Sequence, residues 1–237
     1  MSSTASKILI VSASEKEVNI FTQKVSNLHK SGQWLSSCNF DKIKTDILIS
    51  GMGLPLTIYR LSTLLSKEKY DLVINPGIAG SFRNDLQIGS VVYTSVEQFG
   101  DLGIDDNGVI LTLFDMGYVD PGVSPFTGGK LLNSFNIEKY KTLTALPRVS
   151  GITVNMASGS KDEIEKRRLK FAPDIETMEG AGIFFVCLSQ NIPIIEIRSI
   201  SNFVEPRNAK KWNVPLALIN LGDLLNKLFT EINRQII

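Results

Sequence analysis

Residues 175 to 202, which read IETMEGAGIFFVCLSQNIPIIEIRSISN, constrain the fold of this chain more than any other stretch. The segment IETM is rich in β-forming residues, GAGIFFVCLSQ is apolar on nearly every side, and PIIEIRSI is a β-branched run. Such runs are typical of strands buried in parallel sheets, and an apolar helix of this length is typical of a buried connection between them. The stretch therefore predicts one strand, helix, strand unit.

Each strand of this unit ends in a polar residue, Glu179 after the first strand and Asn202 after the second. Ligands of open parallel sheets collect outside the carboxyl ends of the strands, so we expect both side chains to face one crevice. An ionised carboxylate accepts two hydrogen bonds side by side, which suits the vicinal hydroxyls of a ribose. Because a helix starts directly after Glu179, we expect its dipole to keep this carboxylate ionised at neutral pH. The alternative is that Glu179 only caps the helix.

The rest of the sequence alternates strand patterns with helix patterns and contains no repeat or linker that divides it. This alternation predicts an α/β fold whose largely parallel sheet is covered by helices on both faces. A length of 237 residues is ordinary for one such domain, and 43% hydrophobic residues are enough for a sizeable core. We therefore predict that residues 1–237 form a single domain.

The first predicted helix opens with SASEKEV and carries apolar residues at spacings of three, four and three, namely Val18, Phe21, Val25 and Leu28. That period predicts a helix that ends at His29. Ser14 and Glu17 have the spacing of a capping box, so one interpretation of Glu17 is that it only satisfies the helix start.

Composition excludes several classes of function. A net charge of +1 and a pI near 7.7 leave no basic surplus for nucleic acid or for an anionic membrane surface. A single histidine excludes a histidine-rich metal site, and two cysteines do not make a disulfide framework. The apolar run at the start of the chain is too short for a signal peptide and no segment reaches membrane-spanning length. We expect a cytoplasmic protein without metal or cofactor.

Three further segments carry predictions. The sequence PGIAGS predicts a tight turn after a strand at 71–75, because its glycines permit close approach of the backbone to a ligand. Residues 99–136 predict a long irregular excursion that acts as a lid, a subunit contact or an insertion. The basic cluster at 166–168 predicts a solvated helix face.

The order of GIAGS, TMEGAG and RSISN, each after a strand, resembles the nucleoside phosphorylase and nucleosidase superfamily over residues 7 to about 230. Within it, SASEKEV is similar to the opening of the methylthioadenosine nucleosidases. The segments EQFGDLG, FDMGYVDP, SPFTGGKL and RSISNFVEPRNAKKWNVPLAL resemble the futalosine hydrolases of menaquinone biosynthesis. The resemblance implies a three-layer αβα fold with a mixed, barrel-like central sheet. It also implies a homo-oligomer whose sites lie near a subunit interface.

Matching motif positions carry the family's residue roles onto this chain. Glu17 corresponds to the water-activating glutamate, Met178 and Glu179 to the pair that holds the ribose, and Asn202 to the residue that contacts the purine. The remaining implied substrate contacts are the backbone loop that approaches the sugar and base, and the segment that sandwiches the base; these are Ile78, Ala79, Met156 and Ala157. The alternative for Met156 is plain core filling, because methionine fills irregular gaps.

These residue types suit cleavage of a bond between ribose and a purine. The reaction builds positive charge on the sugar and negative charge on the base, and a carboxylate at Glu17 can take a proton from the attacking water. Phosphorolysis needs cations instead, and the first turn offers two glutamates with only Lys16. Water is therefore the favoured nucleophile, while Arg83 keeps a phosphorylase open as the second reading. A nucleoside-binding protein without activity is the third.

Asn202 and Arg207 carry the predictions about the substrate. Relatives that cleave adenine nucleosides place an aspartic acid at the position of Asn202, whereas the two N–H donors of an amide suit N7 and a 6-keto oxygen. Hypoxanthine therefore fits better than adenine. Futalosine also carries a benzoate, which the guanidinium of Arg207 can clamp. A structural interaction with Glu205 or with the start of the long last helix is the alternative for Arg207, and Trp212 is expected to pack in the core.

Overall fold

The computed structural model describes residues 7–235 of the chain. Its strands are β1 Lys7–Ser12, β2 Ser26–Lys30, β3 Leu35–Phe40, β4 Ile43–Ile49, β5 Leu72–Ser81, β6 Val91–Phe99, β7 Gly103–Asp106, β8 Val109–Thr112, β9 Leu131–Leu132, β10 Arg148–Thr153, β11 Ile175–Thr177 and β12 Ile194–Phe203. Its helices are α1 Glu15–Thr22, α2 Leu54–Leu65, α3 Lys141–Thr144, α4 Lys161–Phe171, α5 Gly180–Ser189 and α6 Val214–Gln235. The first six residues, which bear on the prediction about a targeting segment, lie outside this range.

Ten of the strands form one mixed sheet in the order β11, β10, β6, β12, β5, β1, β4, β3, β2, with β9 beside β6. β11 also pairs with β5, so the five strands at this end close on themselves like a small barrel. Pairing is parallel from β12 through β5 and β1 to β4, and antiparallel at β2, β3 and the junctions β6 with β12 and β5 with β11. The predicted mixed, barrel-like sheet is confirmed.

Helices cover both faces of the sheet because successive strand residues point to opposite sides. In β1, Ile8 and Ile10 pack in the core that includes residues of α1 and α6. Leu9 and Val11 pack in a second core with residues of α2 and α5. The predicted three-layer αβα architecture is confirmed. None of the helices within residues 7–235 is both long and apolar enough to cross a bilayer.

The unit at 175–202 forms as β11, α5 and β12, but its two strands are not parallel neighbours. β5 lies between them, and it pairs antiparallel with β11 and parallel with β12. Gly80 of β5 is the register partner of both Glu176 and Asn202. The two strands are therefore brought together at the end of β5, and barrel closure is the reason rather than a shared parallel edge.

Three expectations about local structure are wrong. α1 ends at Thr22, and Leu28, which continues its helical period, lies in β2, because pairing with β3 supplies hydrogen bonds that an exposed helix end would not. His29 lies on that strand. The segment PGIAGS is no turn but the second half of β5. The excursion at 99–136 is partly regular, since it contains the hairpin of β7 and β8 and the short strand β9.

Candidate active site

A cavity of about 410 Å³ lies at the ends of six strands. Its lining includes residues that follow β1, β4, β10 and β11, and the last residues of β5 and β12. Pockets that hold drug-sized ligands measure about 300–1,000 Å³. Eight of the nine residues predicted for the site line this cavity, namely Glu17, Ile78, Ala79, Ala157, Met178, Glu179, Asn202 and Arg207. The cavity therefore collects side chains from positions between 17 and 207 of the sequence.

Met156 is the predicted site residue that does not line this cavity. Its side chain is 69% exposed and borders a second cavity of about 440 Å³ beside β7, β8 and α4. The structure thus places Met156 neither against the predicted base position nor in the core, so neither interpretation of this residue matches its surroundings. Its neighbour Ala157 borders the first cavity, because the chain changes direction after β10.

The Glu17 carboxylate lies in the first turn of α1 with its two oxygens in different surroundings. Oε2 accepts hydrogen bonds from Ser12 Oγ at 2.9 Å, from Ser14 N at 3.0 Å and from Ser14 Oγ at 3.3 Å. Oε1 accepts only the N–H of Ile78, at 3.3 Å. The helix cap therefore occupies one oxygen and leaves lone pairs on the other. Glu17 is both a capping residue and a carboxylate that lines the cavity.

Glu179 directly precedes α5 and is held from across the cavity. Its Oε1 accepts the N–H of Gly53 at 2.8 Å, which leaves Oε2 available to a ligand. Burial raises the pKa of Glu179 to about 7, and this effect exceeds the lowering by the Gly53 N–H and by the Arg198 guanidinium. Nearby Glu17 and Glu196 raise it further. The expectation that the helix dipole keeps Glu179 fully ionised at neutral pH is wrong, because desolvation outweighs it.

Asn202 lies at an irregularity near the end of β12, where the register with β5 shifts between Ile200 and Asn202. Its Oδ1 accepts from Ser201 Oγ at 2.7 Å, and its Nδ2 donates to the carbonyl of Phe203 at 3.0 Å. One N–H of the amide is therefore left for a ligand, together with one lone pair on Oδ1. The expected pair of free N–H donors is reduced to one.

Arg207 and Trp212 lie together at the cavity. The guanidinium carbon of Arg207 is 5.7 Å from the centre of the Trp212 ring, a cation-π distance. Glu205 pairs with Lys211 at 2.8 Å, so the expected alternative of an ion pair between Arg207 and Glu205 is not formed. Trp212 lines the cavity and is 36% exposed, which corrects the expectation that it packs in the core.

A further carboxylate at the cavity, Glu176, was missed by the sequence reasoning. It accepts from Ser158 N at 2.8 Å, from Ser158 Oγ and from Arg167 Nη1 at 3.2 Å. Arg167 also pairs with Glu163 at 2.9 Å and is buried. The expected solvated face at 166–168 is therefore wrong for its middle residue. The buried guanidinium of Arg167 is paired with the Glu176 carboxylate on β11 and with Glu163. No spacing in the sequence indicates the pair of Arg167 and Glu176.

Arg83, the cation that kept phosphorolysis open, does not line the cavity. Its guanidinium donates to Asp85 at 3.0 Å and to Asp174 at 3.3 Å. The two cationic side chains among the described cavity residues are Lys16 and Arg207, and both are exposed. The interior of the cavity is bordered by carboxylates instead.

Comparison with known proteins gives a consistent family. The model of the phosphorylase superfamily matches residues 7–230. A 5'-methylthioadenosine/S-adenosylhomocysteine nucleosidase of Psychromonas ingrahamii is 24% identical over 96% of this chain and 100% of its own length. A futalosine hydrolase of Streptomyces coelicolor is 28% identical over 69% of this chain and 67% of its own. The crystal structure of a nucleosidase of the first kind from Colwellia psychrerythraea, in complex with adenine, has a TM-score of 0.81 at 20% identity and covers 96% of both chains.

Proposed function

The chain belongs to the phosphorylase superfamily, and from this premise we propose that it hydrolyses the N-glycosidic bond of a purine nucleoside, with futalosine as its substrate. Its relatives are nucleosidases and futalosine hydrolases, so hydrolysis of an N-glycosidic bond is common to them. The observation that carries the proposal is that Glu17, Glu179 and Asn202 line one cavity. Water, ribose and base each have a matching group among these three residues.

Glu17 acts as the general base in this proposal. The three donors on Oε2 hold the carboxylate in place, while Oε1 has lone pairs left to accept a proton from a water molecule. A fixed base that requires no rearrangement during the reaction is worth about 10²–10⁴ in rate. The attacking oxygen then bonds to the anomeric carbon as the bond to the purine nitrogen breaks, and the electron pair leaves with the base.

The developing cation on the ribose lies between two anionic groups. Glu179 offers Oε2 to the vicinal hydroxyls while Gly53 holds its other oxygen. Carboxylates aimed at the position where positive charge develops stabilise the transition state more than the ground state. Glu179 performs this only in its ionised form, and a pKa of about 7 therefore predicts that kcat/KM falls as the pH drops below neutrality.

The identity of residue 202 supports a 6-oxopurine as the leaving base. An amide cannot supply a proton to N7, so the base must carry away its own negative charge. A 6-keto oxygen accepts part of that charge, which an amino group does not. Asn202 then donates its one remaining N–H to the base, while the Ser201 hydroxyl holds the amide by donating to its Oδ1.

Replacing Asn202 with aspartic acid is expected to shift base preference toward adenine. In its protonated form the carboxyl donates to N7, and its other oxygen accepts from a 6-amino group. The ratio of kcat/KM for methylthioadenosine to that for inosine should rise by roughly 10-fold, in line with one changed hydrogen bond at about 1.5 kcal/mol. Asn208→Asp, a surface substitution outside the cavity, is the matched control. An unchanged ratio in Asn202→Asp contradicts the assignment of this residue to the base.

Two alternative functions are separated from this proposal by one experiment. A phosphorylase with the same fold needs phosphate, and the engagement of Arg83 by two aspartates argues against it. A binding protein without activity releases no base. The protein is incubated with futalosine, inosine and methylthioadenosine, with and without phosphate, and free base is followed by chromatography. We expect phosphate-independent release of hypoxanthine from futalosine; phosphate dependence, or adenine release alone, overturns the proposed reaction or substrate.

Arg207 is proposed to hold the carboxylate at the 5′ end of the substrate. Its guanidinium lies against the cavity, steadied by the Trp212 ring. Removing it in Arg207→Ala should raise KM for futalosine by roughly 10-fold or more, as expected for loss of a charge-assisted hydrogen bond, and leave KM for inosine nearly unchanged. Lys210→Ala removes an exposed cation from the same segment, at a residue that does not line the cavity, and serves as the control. Equal increases for both nucleosides contradict the clamp.

We further propose that the protein functions as a cytoplasmic homo-oligomer with its site near a subunit interface. Met52 lines the cavity and is 67% exposed, so an apolar side chain at the site faces solvent in the single chain. A second copy that covers it would also shield the reaction from bulk water. Light scattering coupled to gel filtration measures the mass; a monomer that is fully active at the same concentration contradicts this proposal.

A further inference from the structure

Three charged side chains lie buried on the sheet face that α5 covers, directly behind the cavity. Glu97 of β6 and Glu196 of β12 are 0% exposed, and Arg198 of β12 is 2% exposed. The mechanism above assigns no step to them. Buried charges are costly unless they are paired and hydrogen-bonded, so their presence requires a physical reason.

Within residues 7–235, most of the carboxyl oxygens in this cluster have no hydrogen-bond donor. Glu97 Oε1 and both oxygens of Glu196 receive no N–H or O–H group. The one ion pair joins Arg198 Nη2 to Glu196 Oε2 at 3.3 Å. Arg198 directs its hydrogen bonds to Asn75 instead, to the main-chain oxygen at 3.4 Å and to the side-chain oxygen. One cation is thus shared between two acids.

The missing donor is supplied if one of the acids is protonated. Glu97 Oε1 and Glu196 Oε2 lie close together beside Gly180, and burial together with the Glu196 charge raises the pKa of Glu97 well above its ordinary value. Two adjacent carboxyl groups cannot both ionise in a dry interior. A protonated Glu97 donates to Glu196, and the cluster then carries one negative and one positive charge.

The cluster contacts the chain segment that positions Glu179. Glu97 Oε2 accepts from Thr153 Oγ1 at 2.8 Å, and Thr153 Oγ1 accepts the N–H of Ala181 at 2.7 Å. A methyl group on Gly180 would lie 2.5 Å from Glu97 Oε1 and 2.8 Å from Glu196 Oε2, so the acids touch the backbone next to Glu179. The start of α5 therefore packs against the carboxyl groups of Glu97 and Glu196.

The cluster also reaches the neighbourhood of Glu17 through Arg198. A methyl group on Gly77 would lie 3.2 Å from Arg198 Cζ and 3.3 Å from Glu17 Oε1, so one glycine separates the guanidinium from the proposed base. Arg198 lowers the pKa of Glu179, whereas Glu196 raises it. Glu196 thus offsets part of the effect of Arg198 on the site.

We propose that Glu97 and Glu196 share one proton and act as positioning residues, which hold the start of α5 and keep one negative charge beside Arg198. This inference rests on the proposed hydrolysis only for its kinetic consequence; the shared proton is independent of any activity. The charged groups that face Glu179 are Glu17 from α1 and the pair of Glu196 and Arg198 from β12. Tyr93 of β6 is the further titratable group in the field of Glu196.

The kinetic test is the pH dependence of kcat/KM in the double variant Glu97→Gln/Glu196→Gln. Removing both acids removes the one negative charge of the pair and leaves Arg198 uncompensated, so the pKa of Glu179 falls and the acid limb moves to lower pH by about one pH unit, as expected for loss of one nearby charge. In either single variant the remaining acid keeps that charge beside Arg198, so the acid limb should stay in place. An unmoved limb in the double variant, or an equal movement in a single variant, overturns the proposal.

Asp46→Asn provides the matched control for loss of a buried carboxylate. Asp46 accepts from Tyr70 at 2.8 Å and from Ser37 at 2.6 Å, and it does not line the cavity. Its removal perturbs the fold but should leave the acid limb in place. A limb that moves in Asp46→Asn as far as in the double variant shows a general response to destabilisation and contradicts the proposed charge effect.

An infrared measurement tests the shared proton in the full chain without substrate. A protonated carboxyl group gives a carbonyl stretching band that a carboxylate lacks. We expect such a band in the native protein at mildly alkaline pH, where Glu179 with its pKa of about 7 is ionised, and its loss in Glu97→Gln. This readout applies even if the double variant does not fold. If no band is lost in Glu97→Gln, the proposal is overturned. If the band is present but no nucleoside is hydrolysed, the proposed function fails and the proton sharing stands.

Discussion

Glu17→Gln is expected to lower kcat by about 10²–10⁴-fold, the contribution of a positioned general base. In the native protein, Ser14 N and Ser12 Oγ donate to Oε2 of Glu17. Glutamine keeps the length of the side chain, and its carbonyl oxygen can still accept both hydrogen bonds. The helix start is therefore retained while the capacity to take a proton from water is lost. The measurement is single-turnover hydrolysis of futalosine, with circular dichroism to confirm the fold.

Glu15→Gln is the matched control for this prediction. Glu15 lies in the same first turn of α1, but its side chain is exposed and does not line the cavity. The control removes one negative charge from the helix start and should leave kcat within about 2-fold, as surface charges have small effects. A Glu17→Gln protein that retains more than a tenth of the native kcat, or a Glu15→Gln protein that loses as much, contradicts the role of Glu17.

Glu179→Gln is expected to lower kcat/KM for ribonucleosides by about 10²–10⁴-fold. Each hydrogen bond to a charged group contributes roughly 1.5–3 kcal/mol, and two ribose hydroxyls depend on this carboxylate. Glutamine can keep the hydrogen bond from Gly53 N, but its amide nitrogen then faces the ribose with donors where acceptors are needed. The loss should be specific to substrates that carry both hydroxyls.

A double-mutant cycle isolates this interaction from any change in the glycosidic bond itself. Native protein and Glu179→Gln are compared with inosine and 2′-deoxyinosine, and we expect the cost of the substitution to shrink by at least 10-fold for the deoxynucleoside. Glu176→Gln is the matched control, because Glu176 lines the same cavity but its oxygens already accept from Ser158 and Arg167. Equal costs for both nucleosides in Glu179→Gln contradict the assignment of the ribose to this residue.

Much of the fold follows from local sequence patterns. The β-branched runs predict the central strands, and the longer apolar segment between two of them predicts α5. Strands and helices can be told apart because their hydrophobic patterns and lengths differ. The spacing of apolar residues did not distinguish the end of α1 from β2, since Leu28 fits both a helix and an edge strand. Pairing with β3 decided between them, and that pairing is not a local property.

The site was predicted in its main residues but not in its electrostatics. Glu17, Glu179 and Asn202 stand at recognisable positions after strands, and the structure brings them to one cavity. Glu196 and Arg198 were missed although their signal is present, as two charges separated by one residue interrupt an otherwise β-branched run. A charged side chain in a strand that is buried on both faces is costly unless it is paired, so such an interruption indicates a charge with a structural or functional role.

The sequence by itself determined most of the central strands and helices and which acids stand near their ends, because those properties depend largely on neighbouring residues. Only the tertiary structure decided that Met156 lies outside the cavity, that Arg167 is buried and that Glu179 titrates near neutrality. These properties depend on desolvation and on charges from distant strands. Closure of β11 onto β5 creates that environment, and no local pattern encodes it.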